Sequence, residues 1–189
     1  MNRPMSASKF FLHLCWRERQ GSMTVSFALV IPLIAIVSVA ILEFASVSLD
    51  YHRAGEATRR GARLAAILPP VADLSALPAN ASVTCTSSGE MAACGGGTVV
   101  APETFDSVLA SMSAMLPAIA DENIEIIYSQ SDLGDASTPG GILPLVQVRL
   151  SGVDHSYAVL AALVPGLPSV LVLPDFSTTL LTGGSKTAE

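Results

Sequence analysis

Charge is scarce in this sequence, and positive charge is nearly missing from most of it. Asp, Glu, Lys and Arg make up 14% of the 189 residues, against about 25% in an average soluble protein. A deficit of that size fits a chain part of which lies in lipid. From Pro69 onward there are twelve acids, Asp73 through Glu189, and two bases, Arg149 and Lys186. So acidic a body excludes nucleic acid as a partner, because phosphate binding needs clustered Lys and Arg. Histidine is sparse as well, and His13, His52 and His155 form no cluster. The patterns H-E-x-x-H, G-x-S-x-G and Walker A are all missing, so the sequence carries no zinc-protease, serine-hydrolase or phosphate-loop signature. These absences predict no cofactor, no metal and no enzyme. No internal repeat is visible, and the length suits one modest domain plus a membrane segment.

What is present is one long apolar run. Gln20 to Leu42 holds 23 consecutive uncharged residues, enough for the roughly 20 that cross a bilayer as a helix. A secretory signal has an apolar region of about 7–15 residues and then a small-residue cleavage site. This run is longer and passes into more helix, which predicts retention in the membrane as a single span. Pro32 would break a soluble helix, but in a span neighbouring groups satisfy the freed carbonyl. Arg3, Lys9, Arg17 and Arg19 precede the run with Glu18 as the one acid, so the positive-inside rule puts the N-terminus in the cytoplasm. Phe10-Phe11-Leu12 is too short to be a signal core.

Helical spacing does not stop at the membrane edge. Ala54, Ala57, Gly61, Leu64, Ala65 and Leu68 recur every three or four residues and share one face. Arg53, Glu56, Arg60 and Arg63 fall on the other, with Glu56 and Arg60 at i,i+4 in the favourable order. Small residues on a face permit close approach of a second helix, which makes Ala54, Ala57, Gly61 and Ala65 a candidate packing surface. Pro69-Pro70 ends the element. Taken as one helix, Ser22 to Ile67 extends roughly 69 Å at about 1.5 Å per residue.

The remainder reads as a small α+β head. Val71 to Ala81 is a connector, Ser82 to Cys85 begins a strand, and Thr86 to Ala93 with Gly95-Gly96-Gly97 reads as loop. Pro102 to Met115 is an amphipathic helix on the spacing of Phe105, Val108, Leu109, Met112 and Leu116. Strands are expected at Asn123 to Gln130 and Leu145 to Leu150, around a loop at Ser131 to Gly141. His155 to Val164 reads as a short helix, and Ser169 to Leu173 with Ser177 to Leu181 as a last strand interrupted by Pro174. The expected fold class is therefore α+β: residues 1–21 a basic leader, 22–68 a transmembrane and assembly helix, 69–189 an exported head.

Several residues stand out as candidates. Glu43 sits at the far edge of the apolar run, where an acid is costly unless paired or at the interface; it is either an intermolecular contact or an acid facing headgroups. Arg59, Arg60 and Arg63 lie where the positive-inside rule does not ask for them, and form a basic face for partner acids or a solvated one. Cys85 and Cys94 are close enough in the exported part for a disulfide, worth about 2–3 kcal/mol in the chain-entropy model. Cys15 belongs to the leader. His155 beside Asp154 is a surface turn or a weak dyad, and Asp132 and Asp135 fall short of a calcium loop.

The run Gly21-Ser22-Met23-Thr24-Val25-Ser26-Phe27-Ala28-Leu29-Val30-Ile31-Pro32-Leu33 resembles the N-terminus of TadE-like proteins, minor pseudopilins of the tight-adherence (Flp) pilus system. That family's pattern is roughly G-x-x-x-V-E-F-A-L-V-x-P-L, then I-x-E-F, then a helix ending A-A-R-x-G-A-R-x-A. Ile41-Leu42-Glu43-Phe44 and Ala57-Thr58-Arg59-Arg60-Gly61-Ala62-Arg63-Leu64-Ala65 stand in order behind the first block. The resemblance implies a pseudopilin or a membrane-anchored accessory subunit for assembly of a tight-adherence pilus, an accessory component rather than a copy-rich fibre subunit. It is single-pass in a bacterial inner membrane, with its head periplasmic or extracellular. It implies cleavage by a prepilin peptidase between Gly21 and Ser22, lateral packing against other pilin-like subunits, and Tad machinery as partners. One position departs: Ser26 stands where the family pattern has Glu, the acid that in pilin-like proteins helps set the register of an incoming subunit. Ser26, Pro32 and Glu43 are thus the positions expected to define register in the membrane. The rival expectation is a permanently anchored envelope protein whose acidic head binds another protein. A membrane-tethered hydrolase built on Asp154 and His155 ranks third.

Overall fold

The computed structural model describes residues 7–75, 77–78, 81–89, 91–130, 144–164 and 166–182, with the backbone alone for 7–22. The expected loop at Ser131 to Gly141, with Asp132 and Asp135, lies outside the described residues.

Helix α1 spans Ala7–Ile67 and passes through Pro32 without a break. It begins well before Ser22, because residues 7–20 contain neither glycine nor proline to stop it. Ten shorter elements of described structure follow. Strands β1 (Ser82–Ser87) and β2 (Ala92–Gly95) form a hairpin, and α2 covers Pro102–Ser113. A 3-10 turn at Asp121–Asn123 leads into β3 (Ile124–Ser129), then β4 (Leu145–Leu150) and β5 (Asp154–Ser156). Helix α3 (Leu160–Leu163), β6 (Val170–Val172) and β7 (Phe176–Leu181) complete the order. The architecture is α+β, a long apolar N-terminal helix followed by a small antiparallel sheet with helices.

Contacts divide the chain into two compact units, Met1–Ala45 with Ala158–Leu167, and Ser46–Tyr157 with Pro168–Glu189. The second unit holds a five-stranded sheet in the order β2-β1-β3-β4-β7, every pairing antiparallel. Alternation puts Val83, Cys85, Ile124, Ile126, Tyr128, Val146, Val148 and Leu150 on one face, all buried. Their neighbours Thr86, Arg149 and Thr179 face solvent. Two helical stripes join the inner face in one core: Ala54, Ala57, Ala62, Ala65 and Ala66 from α1, and Phe105, Val108 and Met112 from α2. Each fully buried large side chain in that core contributes about 1.5–3 kcal/mol. Pro102 opens α2 and Glu103 sits in its first turn, where fixed φ and a negative charge both favour a helix start.

Short polar links fix the segments between elements. The chain leaving α1 pairs with the chain entering α2, Val100 N–H donating to the Val71 carbonyl at 2.8 Å and Asp73 N–H to that of Thr98 at 2.9 Å. Thr104 Oγ1 donates to the Pro69 carbonyl at 2.8 Å. Asn123 holds the turn after β4, its Nδ2 donating to the Ser151 carbonyl at 3.0 Å and the Gly152 carbonyl at 2.9 Å. Gly152 has φ +67° there, a conformation that glycine adopts without strain. On the solvent face of the sheet, Arg149 meets Asp175 at 2.5 Å and Glu125 at 3.7 Å. The Asp175 hydrogen bond, ahead of the charges of Asp175 and Glu125, raises the Arg149 guanidinium above its usual value.

Three expectations change here. Thr86 to Ala93 and Gly95 are not simply loop, because Ala92–Gly95 pairs antiparallel with Thr84 to Ser87 and closes a hairpin. His155 to Val164 is not one helix, because Asp154–Ser156 pairs with Val170–Val172 in a separate two-stranded sheet and only Leu160–Leu163 is helical. Nor is there one last strand around Pro174. Leu173 N–H donates to the Val153 carbonyl at 2.8 Å, which commits β6 to β5, while β7 pairs with β4.

Candidate functional site

The chemistry-bearing residues gather along α1. From Met23 to Leu42 its side chains are mostly exposed, including Phe27, Leu33, Ile41 and Leu42. This part of the helix is long and apolar enough to cross a membrane. Gly21 and Ser22 lie inside the helix, and Ser26 and Pro32 are exposed on it.

Further along, exposure switches to a stripe. Ala54, Ala57 and Thr58 are buried, then Gly61 and Ala62, then Ala65 and Ala66, the repeat of a helix with one face covered. The covering comes from this chain. A Cβ on Gly61 would stand 2.5 Å from Met112 Sδ and 3.4 Å from Val108 Cγ1, so α2 packs close against this face and any larger residue there must displace the end of Met112. Small residues permit close approach, and in this chain α2 and the sheet occupy the space beside Ala54, Ala57, Gly61 and Ala65.

Arg59, Arg60 and Arg63 are exposed on the opposite face. Arg59 pairs with Glu56 at 2.7 Å across one turn, which replaces the expected Glu56–Arg60 pair. Arg60 instead reaches Met115, Nη1 to Sδ at 3.7 Å. Pairs this exposed contribute about 0–1 kcal/mol.

Two acids on α1 do more specific work. In the second unit, Asp50 Oδ2 meets His155 Nδ1 at 2.7 Å, and its other oxygen lies 3.6 Å from Arg53. The His155 side chain is 10% exposed, stacks edge-on with Tyr157 and brings Nε2 to 3.5 Å from Ser46 Oγ. His155 therefore joins Asp50 rather than Asp154, which is exposed. Carboxylate, imidazole and hydroxyl follow the order of a nucleophilic triad, yet 3.5 Å exceeds the roughly 2.6–3.2 Å of a working nucleophile–base pair. What the geometry does is clasp β5 to α1. In the first unit, Glu43 is 8% exposed and its Oε1 accepts from the backbone N–H of Val159, at 2.5 Å, and of Leu160, at 2.9 Å. The acid expected to meet headgroups or a neighbouring chain thus bonds the backbone of its own chain.

The head has its own fixed points. Cys85 and Cys94 form a disulfide at directly opposed positions of the β1–β2 hairpin. Asp121 accepts from Ser87 Oγ at 3.3 Å and from the Gly89 N–H, tying the same hairpin to the turn before β3. Its carboxyl is held below the ordinary value, first by a hydrogen bond with Glu122 and then by that of Gly89. Tyr128 Oη accepts from Val71 N–H at 3.1 Å; burial pushes its phenol up, and this hydrogen bond opposes the shift. Beside the hairpin is a cleft of about 450 Å³ lined by Asp73, Leu77, Pro78, Val83, Gly96, Gly97 and Thr98. Among the described residues no group of three or more His, Cys, Asp and Glu side chains is placed to hold a metal.

Neither Asp50 nor the segment between β5 and β6 stands out by motif. Their one signal in the sequence is the lack of any charged residue from Ser156 to Pro174, which marks that loop as apolar.

These features define a class: a chain with, among the described residues, one membrane-competent helix, whose far end is a wall of a small disulfide-bonded α+β head. Residues 21–63 match the family model described as TadE-like protein, a family associated with Tad pilus systems. The matched stretch contains the apolar run, Glu43, Asp50 and most of the buried small-residue stripe. No curated protein and no solved structure matches the chain.

Proposed function

We propose that this chain is a membrane-anchored structural subunit of a tight-adherence pilus system, with no catalytic role. The observation that carries this is the TadE-like match over residues 21–63, falling on a helix that is exposed and apolar first and built into a head second. Met23 to Leu42 crosses the bacterial inner membrane once, the basic N-terminus stays in the cytoplasm, and the disulfide-bearing head is on the far side. That placement agrees with the disulfide, which persists in an oxidising compartment. A prepilin peptidase cuts between Gly21 and Ser22, and Ser26, Pro32 and the exposed apolar residues face lipid or related pilin-like subunits. Arg59, Arg60 and Arg63, free of the core, present a basic face to machinery proteins. Mass spectrometry of the mature N-terminus tests the pseudopilin role: Ser22 is expected, and an intact Met1 in a working pilus complex would overturn it.

A second reading is favoured by two observations. The stripe Ala54, Ala57, Gly61 and Ala65 is filled from within the chain, and Ser26 lacks a register-setting carboxylate. A permanently anchored protein whose acidic head binds another envelope protein needs neither. Replacing residues 23–42 by an unrelated span distinguishes the two: preserved pilus assembly favours the tethered head, and lost assembly with normal insertion favours helix packing.

A further inference from the structure

Segment 158–167 forms a unit with the apolar part of α1 rather than with the sheet. It reads Ala158-Val159-Leu160-Ala161-Ala162-Leu163-Val164-Pro165-Gly166-Leu167, without one charged or hydrogen-bonding side chain. Its large side chains are not hidden: Val159 is 44% exposed, Leu163 45% and Val164 37%. In water such a surface would be costly, and a contiguous apolar patch marks a contact with something apolar.

The depth of this segment identifies that something. Glu43, the residue directly after the uncharged run, accepts the N–H groups of Val159 and Leu160. Half-buried Val39 and Ala40 lie one turn earlier on the same stripe as buried Glu43, while their neighbours Ile41 and Leu42 are exposed. One turn beyond Glu43, Ser46 and Val47 are half-buried as well, so the shielded stripe does not end at Glu43 but continues back into the apolar run. Glu43 also solves the problem such a position poses. Backbone N–H groups at a helix start have no partner within the helix, and in a bilayer there is no water to supply one. A carboxylate from the span supplies it, and its own burial is offset by the two bonds it accepts.

We propose that segment 158–167 is a second membrane contact, in which α3 and its flanks enter the outer leaflet beside the span, with lipid acyl chains covering Val159, Leu163 and Val164. This rests on the reading of Met23 to Leu42 as a membrane span. Glu43 is then a positioning residue for the inserted segment.

Site-directed fluorescence tests it with the full-length chain in vesicles of phosphatidylethanolamine and phosphatidylglycerol. Single labelling sites are made in a Cys15→Ser background, with the Cys85–Cys94 disulfide intact, and carry the environment-sensitive dye NBD. Leu163→Cys reports the segment, Leu33→Cys the span and Thr179→Cys the solvent face of the sheet. Expected are blue-shifted emission and quenching by brominated acyl chains at Leu163 and Leu33, and quenching by aqueous iodide at Thr179. Iodide quenching at Leu163 with lipid quenching at Leu33 would overturn the second contact and leave the span standing. Shielding of Leu163 from both quenchers, deepening as protein density rises, would also overturn it, with another subunit as the cover. Loss of lipid quenching at Leu33 would remove the span, and the proposal with it.

Discussion

Asp50 and His155 are separated by 105 positions in the chain and joined at 2.7 Å, with Asp50 on α1 and His155 on β5. His155→Ala removes the clasp and leaves a half-buried carboxylate near Arg53. A loss of about 1–3 kcal/mol is expected, confined to the β5–β6 hairpin. Hydrogen exchange checks this: amides of Tyr157 and Leu173 should exchange faster, while those of Ile126 and Val148 on the central strands keep their protection.

Gly61 and Met112 compete for one volume. Gly61→Val forces Met112 aside and should destabilise by about 1–3 kcal/mol, and Met112→Ala leaves a cavity costing about 2–5 kcal/mol. Because the new methyl groups enter the space that Met112 vacates, the double variant should lose less than the sum. Denaturant titration of the detergent-solubilised chain, run as a double-mutant cycle, measures the coupling. Additivity would show that the two helices do not touch there.

Tyr128→Phe leaves the buried Val71 N–H without its acceptor, at a cost of about 1–3 kcal/mol. The pH dependence has a definite sign. Burial raises the Tyr128 phenol in the folded state, so its contribution is complete below the ordinary tyrosine value near ~10. It is lost as pH rises through the raised folded value. Melting followed across alkaline pH should therefore show a steeper fall for the native chain than for Tyr128→Phe.

Reduction of Cys85–Cys94 reopens the β1–β2 hairpin and should lower stability by about 2–3 kcal/mol. Thermal melts with and without reductant, against a Cys85→Ala/Cys94→Ala variant, give the value. Asp121 continues to hold Ser87 and Gly89, so the hairpin's loss of order should stop short of β3.

Much of this fold is legible in the sequence. The 3.6-residue spacing of Phe105, Val108 and Met112 and the alternation in Ile124–Ser129 and Leu145–Leu150 report burial on one face, which local sequence records. The small-residue stripe on α1 was equally visible, but spacing says that a face is covered and not by what. Only the tertiary arrangement reveals that α2 fills the space above Gly61. The same limit explains Asp50 and His155, since no local pattern links two residues so far apart. In Asp154–Ser156, pairing with β6 overrode a local helical pattern, because strand preference depends mostly on what lies across the ladder.

The core has an order in time as well as in space. Chains are made from the N-terminus, so the wall formed by Ala54, Ala57, Gly61 and Ala65 exists before the first strand is synthesised. Every strand then arrives at a template already in place. The last of them, Phe176–Leu181, covers the open side of β4, and until it does, β4 presents unpaired backbone to any passing strand. The segment carrying α3 is made inside that interval. A synthesis or export pause after Leu167 would therefore yield a chain with its apolar segment complete and its sheet still open, the state in which premature association with another chain is easiest.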